Sequence, residues 1–444
     1  MKLSGKNVFG AGKSALGAGK TALLKVPKVR LPKKSSDNYV VGLDIGTENV
    51  KALIAKVSDK GIEIVGVGRA HQHLSDMQAG AIADIAAVTT NCDAALAEAE
   101  EQAGISARSA VIGIAGELVK GTTTSVRISR KDAQKPLDAA EVEKIVGLVQ
   151  TRALEQAKKQ LAMELGGKDV EVRLVNSALV RMQIDGYDVT SPIGFQGREV
   201  LVQLYTAFAP MIHIGALERV AAELDLELLA VAAEPFAVAR AVVGDDDGKN
   251  MSAILMDVGG GTTDIAVVHE GGVEGTKMFG IGGRAFTRSV ERDMGVTFDQ
   301  AEVIKIGLAS GKIPLQKVGA VEGALKKTLA VWMSGVELAL SEFSVDTMPN
   351  RLLLCGGGAS LELLIDALEG QQWYRELPFT KRPAIQYLHP EDVVGVTDAT
   401  ESLDDHTFIT AMGLLRVGAD TLVSSGATGT GTGIKERINR LLKV

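Results

Sequence analysis

Two cysteines, Cys92 and Cys355, are all that this chain of 444 residues contains, and their spacing matches no metal-ligand pattern. Neither a disulfide framework nor a zinc site is therefore expected. The sequence also lacks a cationic excess. Its 48 Lys and Arg are outnumbered by 55 Asp and Glu, for a formal net charge of -7, whereas neutralising nucleic-acid phosphates needs a basic face. Nucleic acid is not an expected partner. No run reaches the roughly 18 apolar residues of a membrane-spanning helix, and the N-terminus lacks the apolar core of a secretory signal. The expected location is cytoplasmic, with any membrane contact peripheral. What is present is ordinary globular composition, 46% hydrophobic and 23% charged, in a chain too long for one compact core.

The first 36 residues carry nine lysines and arginines and no acid, so 1–37 reads as a basic flexible tail that contacts acidic lipid or a partner. It holds two Gly-Lys-Ser/Thr tripeptides, Gly12-Lys13-Ser14 and Gly19-Lys20-Thr21. Neither is a P-loop: the glycine that motif requires five residues earlier is replaced by Asn7 and Ser14, and no strand precedes either copy.

From residue 39 the pattern turns to strands, expected over 40–45, 50–57 and 62–67, with a turn at Asp59-Lys60-Gly61. Helical periodicity follows over 82–103 and 137–165, then a strand over 200–208 and helices over 212–224 and 235–243. At Ser252 the opening pattern returns. Val41-Gly42-Leu43-Asp44-Ile45-Gly46-Thr47 is matched by Leu255-Met256-Asp257-Val258-Gly259-Gly260-Gly261-Thr262, each followed by a second apolar strand. A fixed unit that recurs means a duplicated architecture, here two lobes that each offer one Asp-x-Gly hairpin to a shared cleft.

These residues suit a nucleotide. A turn that approaches phosphate needs glycine, because a side chain would block the backbone N–H groups; Gly46-Thr47 and Gly259-Gly260-Gly261-Thr262-Thr263 meet that need and add hydroxyls. Asp44 and Asp257 would repel a triphosphate unless a magnesium ion lay between, held through its waters.

With these motifs on view, the chain resembles the FtsA family of bacterial cell-division proteins within the actin-like superfamily. The two Asp-x-Gly hairpins look like that superfamily's phosphate motifs, and Cys355-Gly356-Gly357-Gly358 is similar to its adenosine motif. Gly282-Gly283 with Glu302 and Lys305 looks like the segment that brackets ribose and purine. Lys51, seven residues after Asp44, occupies the spacing of a phosphate-contacting lysine, or is a solvated strand lysine. Glu234 matches a water-orienting catalytic residue, or simply opens a helix before Pro235. The implied fold is α/β, a two-lobed actin-like ATPase of duplicated ribonuclease-H-like lobes, with ATP and Mg as cofactors and slow turnover at most.

An inserted α+β domain, expected over 80–197 and including Ser109 to Gly116, resembles the one that sets FtsA apart from other branches. Lobe one is then expected over 38–79 and 198–248, and lobe two over 249–418. A flexible linker over 419–433 leads to a helix over 434–444, in which Ile434, Ile438, Leu441 and Leu442 share one face and Lys435, Arg437, Arg440 and Lys443 cover the rest. Burying four such side chains gives roughly 6 to 10 kcal/mol at best, much of it consumed by ordering the helix. One copy should bind an anionic membrane weakly and a polymer well, unless the helix docks on protein instead. The resemblance implies a filament on the inner face of the cell membrane that tethers a tubulin-like, FtsZ-type division protein. Lys51, Glu234 and the run Gly283 to Arg288 look equally like PilM-type platform proteins of type IV pilus assembly. A small-molecule kinase on the same fold is a third reading.

Overall fold

The computed structural model describes residues 33–34, 38–168, 170–243, 251–309, 311–370 and 372–426. The basic tail expected over 1–37 and the amphipathic helix expected over 434–444 thus lie outside the described residues, save Lys33–Lys34, which pair in parallel with Ile105–Ser106.

Lobe one begins with an apolar run that can only be satisfied by burial on both faces: strand β1 (Tyr39–Ile45) is buried at every residue after the first. Strands β2 (Asn49–Ser58) and β3 (Gly61–His71) fold back antiparallel to it. Helix α1 (Ile85–Ala103) starts where the Asp84 carboxylate accepts the Ala87 amide at 3.0 Å and stops at Gly104, whose φ of 67° ends the helical path. Strand β4 (Ser109–Ile114) then lies parallel to β1 on its other side.

The chain next leaves the lobe through β5 (Lys120–Ser129), α2 (Ala139–Glu164), β6 (Val172–Ile184), β7 (Glu199–Pro210) and α3 (Met211–Glu223). It returns as β8 (Glu227–Ala233), parallel to β4, and enters α4 (Glu234–Val243), buried along its whole length. Lobe two opens with the antiparallel meander β9 (Ala253–Val258), β10 (Thr263–His269) and β11 (Gly272–Phe279). Helices α5 (Gly283–Met294), α6 (Phe298–Ala309) and α7 (Leu315–Ser341) follow. Strand β12 (Arg351–Cys355) runs parallel to β9; α8 (Glu362–Gly370) leads to β13 (Ala384–Tyr387), parallel to β12. The last described elements return to lobe one, with β14 (Val396–Asp398) beside β3 and α9 (Ile409–Gly426) over β1.

Lobe one is thus a six-stranded sheet ordered β8-β4-β1-β2-β3-β14. Helices α4 and α9 pack on one another and connect the lobes, α4 reaching the strands of lobe two and α9 those of lobe one. A separate core around the fully buried Trp332 serves lobe two, and a smaller one between α2 and β5–β7 serves the inserted segment.

Three expected boundaries move. The inserted segment does not begin at residue 80. Helix α1 and strand β4 belong to lobe one, because β4 fills the place between β1 and β8 in its sheet. Conversely the strand expected over 200–208 as the return of lobe one is β7, paired on both sides within the insertion. The insertion is also not a free-standing domain: β5 pairs with β11, Gly121 opposite Thr276 and Thr122 opposite Gly275, so its strands, with the short Tyr187–Asp188 at the edge beside β6, extend the sheet of lobe two to nine. The Tyr205 and Thr276 hydroxyls share a buried hydrogen bond of 3.1 Å at this seam. At the other end, the linker expected from residue 419 starts inside α9, which continues to Gly426, since Ala419 and its neighbours still face the core.

Candidate functional site

The duplicated hairpins do more than resemble one another. Strand register places Asp44 opposite Lys51 in lobe one and Asp257 opposite Asp264 in lobe two. Both pairs are seven residues apart, so Asp264 stands where lobe one has its lysine. The spacing that marks Lys51 in the sequence marks Asp264 as well, although no motif points to it.

Between the lobes lies a cleft of about 600 Å³. Asp44, Gly46, Thr47 and Lys51 line it from lobe one, Asp257, Gly259, Gly260 and Thr262 from lobe two, and Glu234 from the start of α4. Gly283, Glu302 and Lys305 form another part of the wall, and Gly356, Gly357 and Gly358 a third. The two turns touch: a Cβ on Gly260 would lie 2.9 Å from Glu48 Cβ, and one on Gly261 2.6 Å from Thr47 Oγ1.

Three expected site residues have other work. The Thr263 hydroxyl donates to the Ile281 carbonyl at 2.7 Å and accepts from Trp332 Nε1 at 2.9 Å, which binds it into the lobe-two core. Gly261 and Gly282 are not among the cleft-lining residues. Gly282 sits at the N-cap of α5, where a Cβ would come within 2.5 Å of the Gly259 carbonyl oxygen.

Charge dominates the remainder. Asp44, Asp257, Asp264 and Glu234 are all buried, and a single lysine answers them: Lys51 Nζ is 2.9 Å from Asp44 Oδ2. Burial works against the Lys51 ammonium, yet Asp44 and then Asp257 outweigh it and raise its pKa. Burial, with Asp44, Asp264 and Asp257 adding to it, pushes the Glu234 carboxyl well above the usual range. Asp264 is pushed up in the same way, by burial and then by Asp257. Burial also raises Asp257, although the Thr410 hydroxyl donates to its Oδ2. The buried Asp264 Oδ1 has no hydrogen-bond partner. A buried carboxylate oxygen without a partner is costly, and a cation in the cleft would offset that cost at Asp264 and the charge of its neighbours. Among the described residues no group of three or more His, Cys, Asp and Glu side chains could hold a metal directly.

Supporting contacts fix the lining. Lys305 Nζ is 2.7 Å from Glu302 Oε2 and also donates to the Gly283 carbonyl at 3.3 Å, joining the residues expected to bracket a ribose. Gly113 was not singled out by sequence, yet a Cβ there would stand 2.9 Å from Glu234 Oε1; its bare backbone makes room for that carboxyl.

A pH dependence follows. Carboxyls whose native pKa lies above the unfolded value keep more protons bound in the folded state, so stability falls as pH rises from the ordinary carboxylate range through the raised values. The melting temperature of the ligand-free protein is expected to drop as pH rises above the ordinary carboxylate range, and Asp264→Asn should flatten that slope. A melting curve that rises across the same window would contradict the assignment.

Two lobes of repeated topology, each giving one hairpin to a common cleft and joined by the packed helices α4 and α9, define an actin-like fold. A solved structure, the PilM-PilN type IV pilus biogenesis complex, shares the fold with a TM-score of 0.60 at 17% identity, over 86% of this chain and 98% of that one. Residues 254–413 match the model of the family described as Cell division protein FtsA, and the chain is FtsA-like over that span. Cell division protein FtsA of Pseudomonas aeruginosa is 27% identical over 287 residues, 64% of each chain. That of Bacillus subtilis is 25% identical over 61% of this chain and 58% of its own, so the match spans less than two thirds of either relative. The Neisseria meningitidis protein is 25% identical across 86% of this chain and 90% of its own length. The resemblance read from the sequence, and the two-lobed fold it implied, are borne out.

Proposed function

We propose that this chain is an ATP-binding, actin-like cell-division protein that assembles with its own copies on the inner face of the cytoplasmic membrane and tethers a tubulin-like, FtsZ-type filament. The observation that carries the nucleotide reading is the cleft itself, where four buried carboxylates face paired glycine turns around one lysine. The division reading is supported by the match of lobe two to FtsA.

In this reading Asp44 and Asp257 hold a hydrated magnesium ion, which supplies the positive charge that lets carboxylates and triphosphate share the cleft. Lys51, the backbone amides of Gly46 and Gly260, and the hydroxyls of Thr47 and Thr262 take the phosphates, while the Gly259 amide holds the turn by donating to the Thr262 carbonyl at 2.9 Å. Glu302 and Lys305 bracket the ribose, and Gly356 to Gly358 lie beneath the base. Glu234 orients the attacking water once deprotonated, and its burial suits slow turnover. The PilM likeness is one of fold, and lobe two favours the division role over a pilus platform.

Attachment is assigned to the segment 434–444, for its apolar Ile434, Ile438, Leu441 and Leu442 and its basic Lys435, Arg437, Arg440 and Lys443. Deleting 434–444 should abolish co-sedimentation with anionic liposomes, and ATP should increase sedimentation of the full chain. If the truncated chain sediments as well as the full one, the tether is elsewhere.

A further inference from the structure

The mouth of the cleft carries an ion pair that neither the motifs nor the catalytic reading uses. Glu48 follows the first glycine turn in lobe one, and Arg284 is the second residue of α5 in lobe two. Arg284 Nε lies 2.7 Å from Glu48 Oε2, with side chains only 12% and 28% exposed. The same guanidinium donates through Nη2 to the Gln72 carbonyl at 3.2 Å.

Both ends are anchored to the turns themselves. On lobe two, the Arg284 amide donates to the Gly260 carbonyl at 2.8 Å. On lobe one, the Gln72 amide donates to the Glu48 carbonyl at 2.9 Å, and its side-chain amide to the Gly46 carbonyl at 3.1 Å. Asn91 holds the Gln72 side chain in place from α1 at 2.9 Å. Beside the pair lies a second cavity of about 280 Å³, lined among others by Phe298 and Asp299; Glu48, Arg284, His71 and Glu302 line both spaces. Moving the two turns apart must break the Arg284 contacts.

We infer that Arg284 and Glu48 form a latch across the cleft, and that Arg284 is a positioning residue setting how fast nucleotide enters and leaves. This rests on the nucleotide reading above. The pair is more sheltered than an ordinary surface ion pair and so less screened by salt. A latch that holds the two turns together whether or not the cleft is filled retards binding as well as release. Breaking it therefore accelerates both rates while the dissociation constant, their ratio, stays nearly fixed.

The test compares Glu48→Gln, Arg284→Gln and the charge-swapped double variant Glu48→Arg with Arg284→Glu, by stopped flow with a fluorescent ATP analogue and magnesium. Either single variant should speed release and binding about tenfold with the dissociation constant moving less than about threefold, and the double variant should recover much of the slow exchange. If only Arg284→Gln has an effect, and it appears as weakened affinity, Arg284 is a phosphate ligand and the latch is wrong. A second measurement needs no nucleotide: spin labels at Lys60→Cys in lobe one and Lys312→Cys in lobe two report the spacing of the lobes. The latch predicts a broader distance distribution in both single variants and narrowing in the double variant. Unchanged distributions overturn the latch whether or not nucleotide binds, whereas broadened ones alongside failure of the wild type to bind ATP overturn only the nucleotide reading.

Discussion

Asp44→Asn and Asp257→Asn are each expected to weaken magnesium-ATP binding at least about a hundredfold, or about 2.7 kcal/mol. Each change removes one of the carboxylates that make a cation necessary, while leaving a side chain of the same shape. Magnesium-free ATP should bind these variants no worse than the wild type, because a repelling charge has gone. Glu234→Ala, by contrast, should keep affinity within about threefold and slow hydrolysis at least about tenfold. Equilibrium titrations with and without magnesium, alongside a phosphate-release assay, separate the roles. Equal loss of binding in all three variants would refute them.

Gly356→Ala should be the most damaging of the conservative substitutions at the site. Gly356 has a φ of 83°, in the region that penalises any Cβ. A Cβ there would also lie 2.0 Å from Asp257 Oδ1 and 2.6 Å from the Val258 carbonyl oxygen, and neither the carboxylate nor the strand can retreat without disturbing β9. A loss of about 3 kcal/mol or more in folding stability is expected, together with loss of magnesium-ATP binding through the displaced Asp257. Chemical denaturation measures the first and titration the second; a Gly356→Ala variant of native stability would show that the turn is looser than the structure has it.

Much of this was legible in the sequence because it depends on local rules. The buried strands, the Asp-x-Gly turns and the repeat at Ser252 follow from apolar runs, glycine and spacing, and all three are found where they were read. Helix α2 spans Ala139–Glu164 against an expected 137–165, its apolar spacing surviving the packing. What could not be read was strand neighbourhood. Nothing in Ser109 to Ile114 says that it lies beside β1 rather than within the insertion, and nothing in Lys120 to Ser129 says that it will extend the sheet of the other lobe. Those choices are made by long-range pairing. The Glu48–Arg284 contact was hidden for the same reason, since its partners are 236 positions apart. Asp264 is different. Its role was readable from the repeat, but only once register rather than motif is compared between the two hairpins.

The central claim is that two duplicated turns bring their carboxylates together around one magnesium-bound triphosphate. Isothermal titration of the full chain with ATP, with magnesium present and again with chelator, tests it most directly. One saturable site per chain, lost or strongly weakened when magnesium is removed, is the predicted result. Absence of saturable binding, or binding indifferent to magnesium, would contradict it.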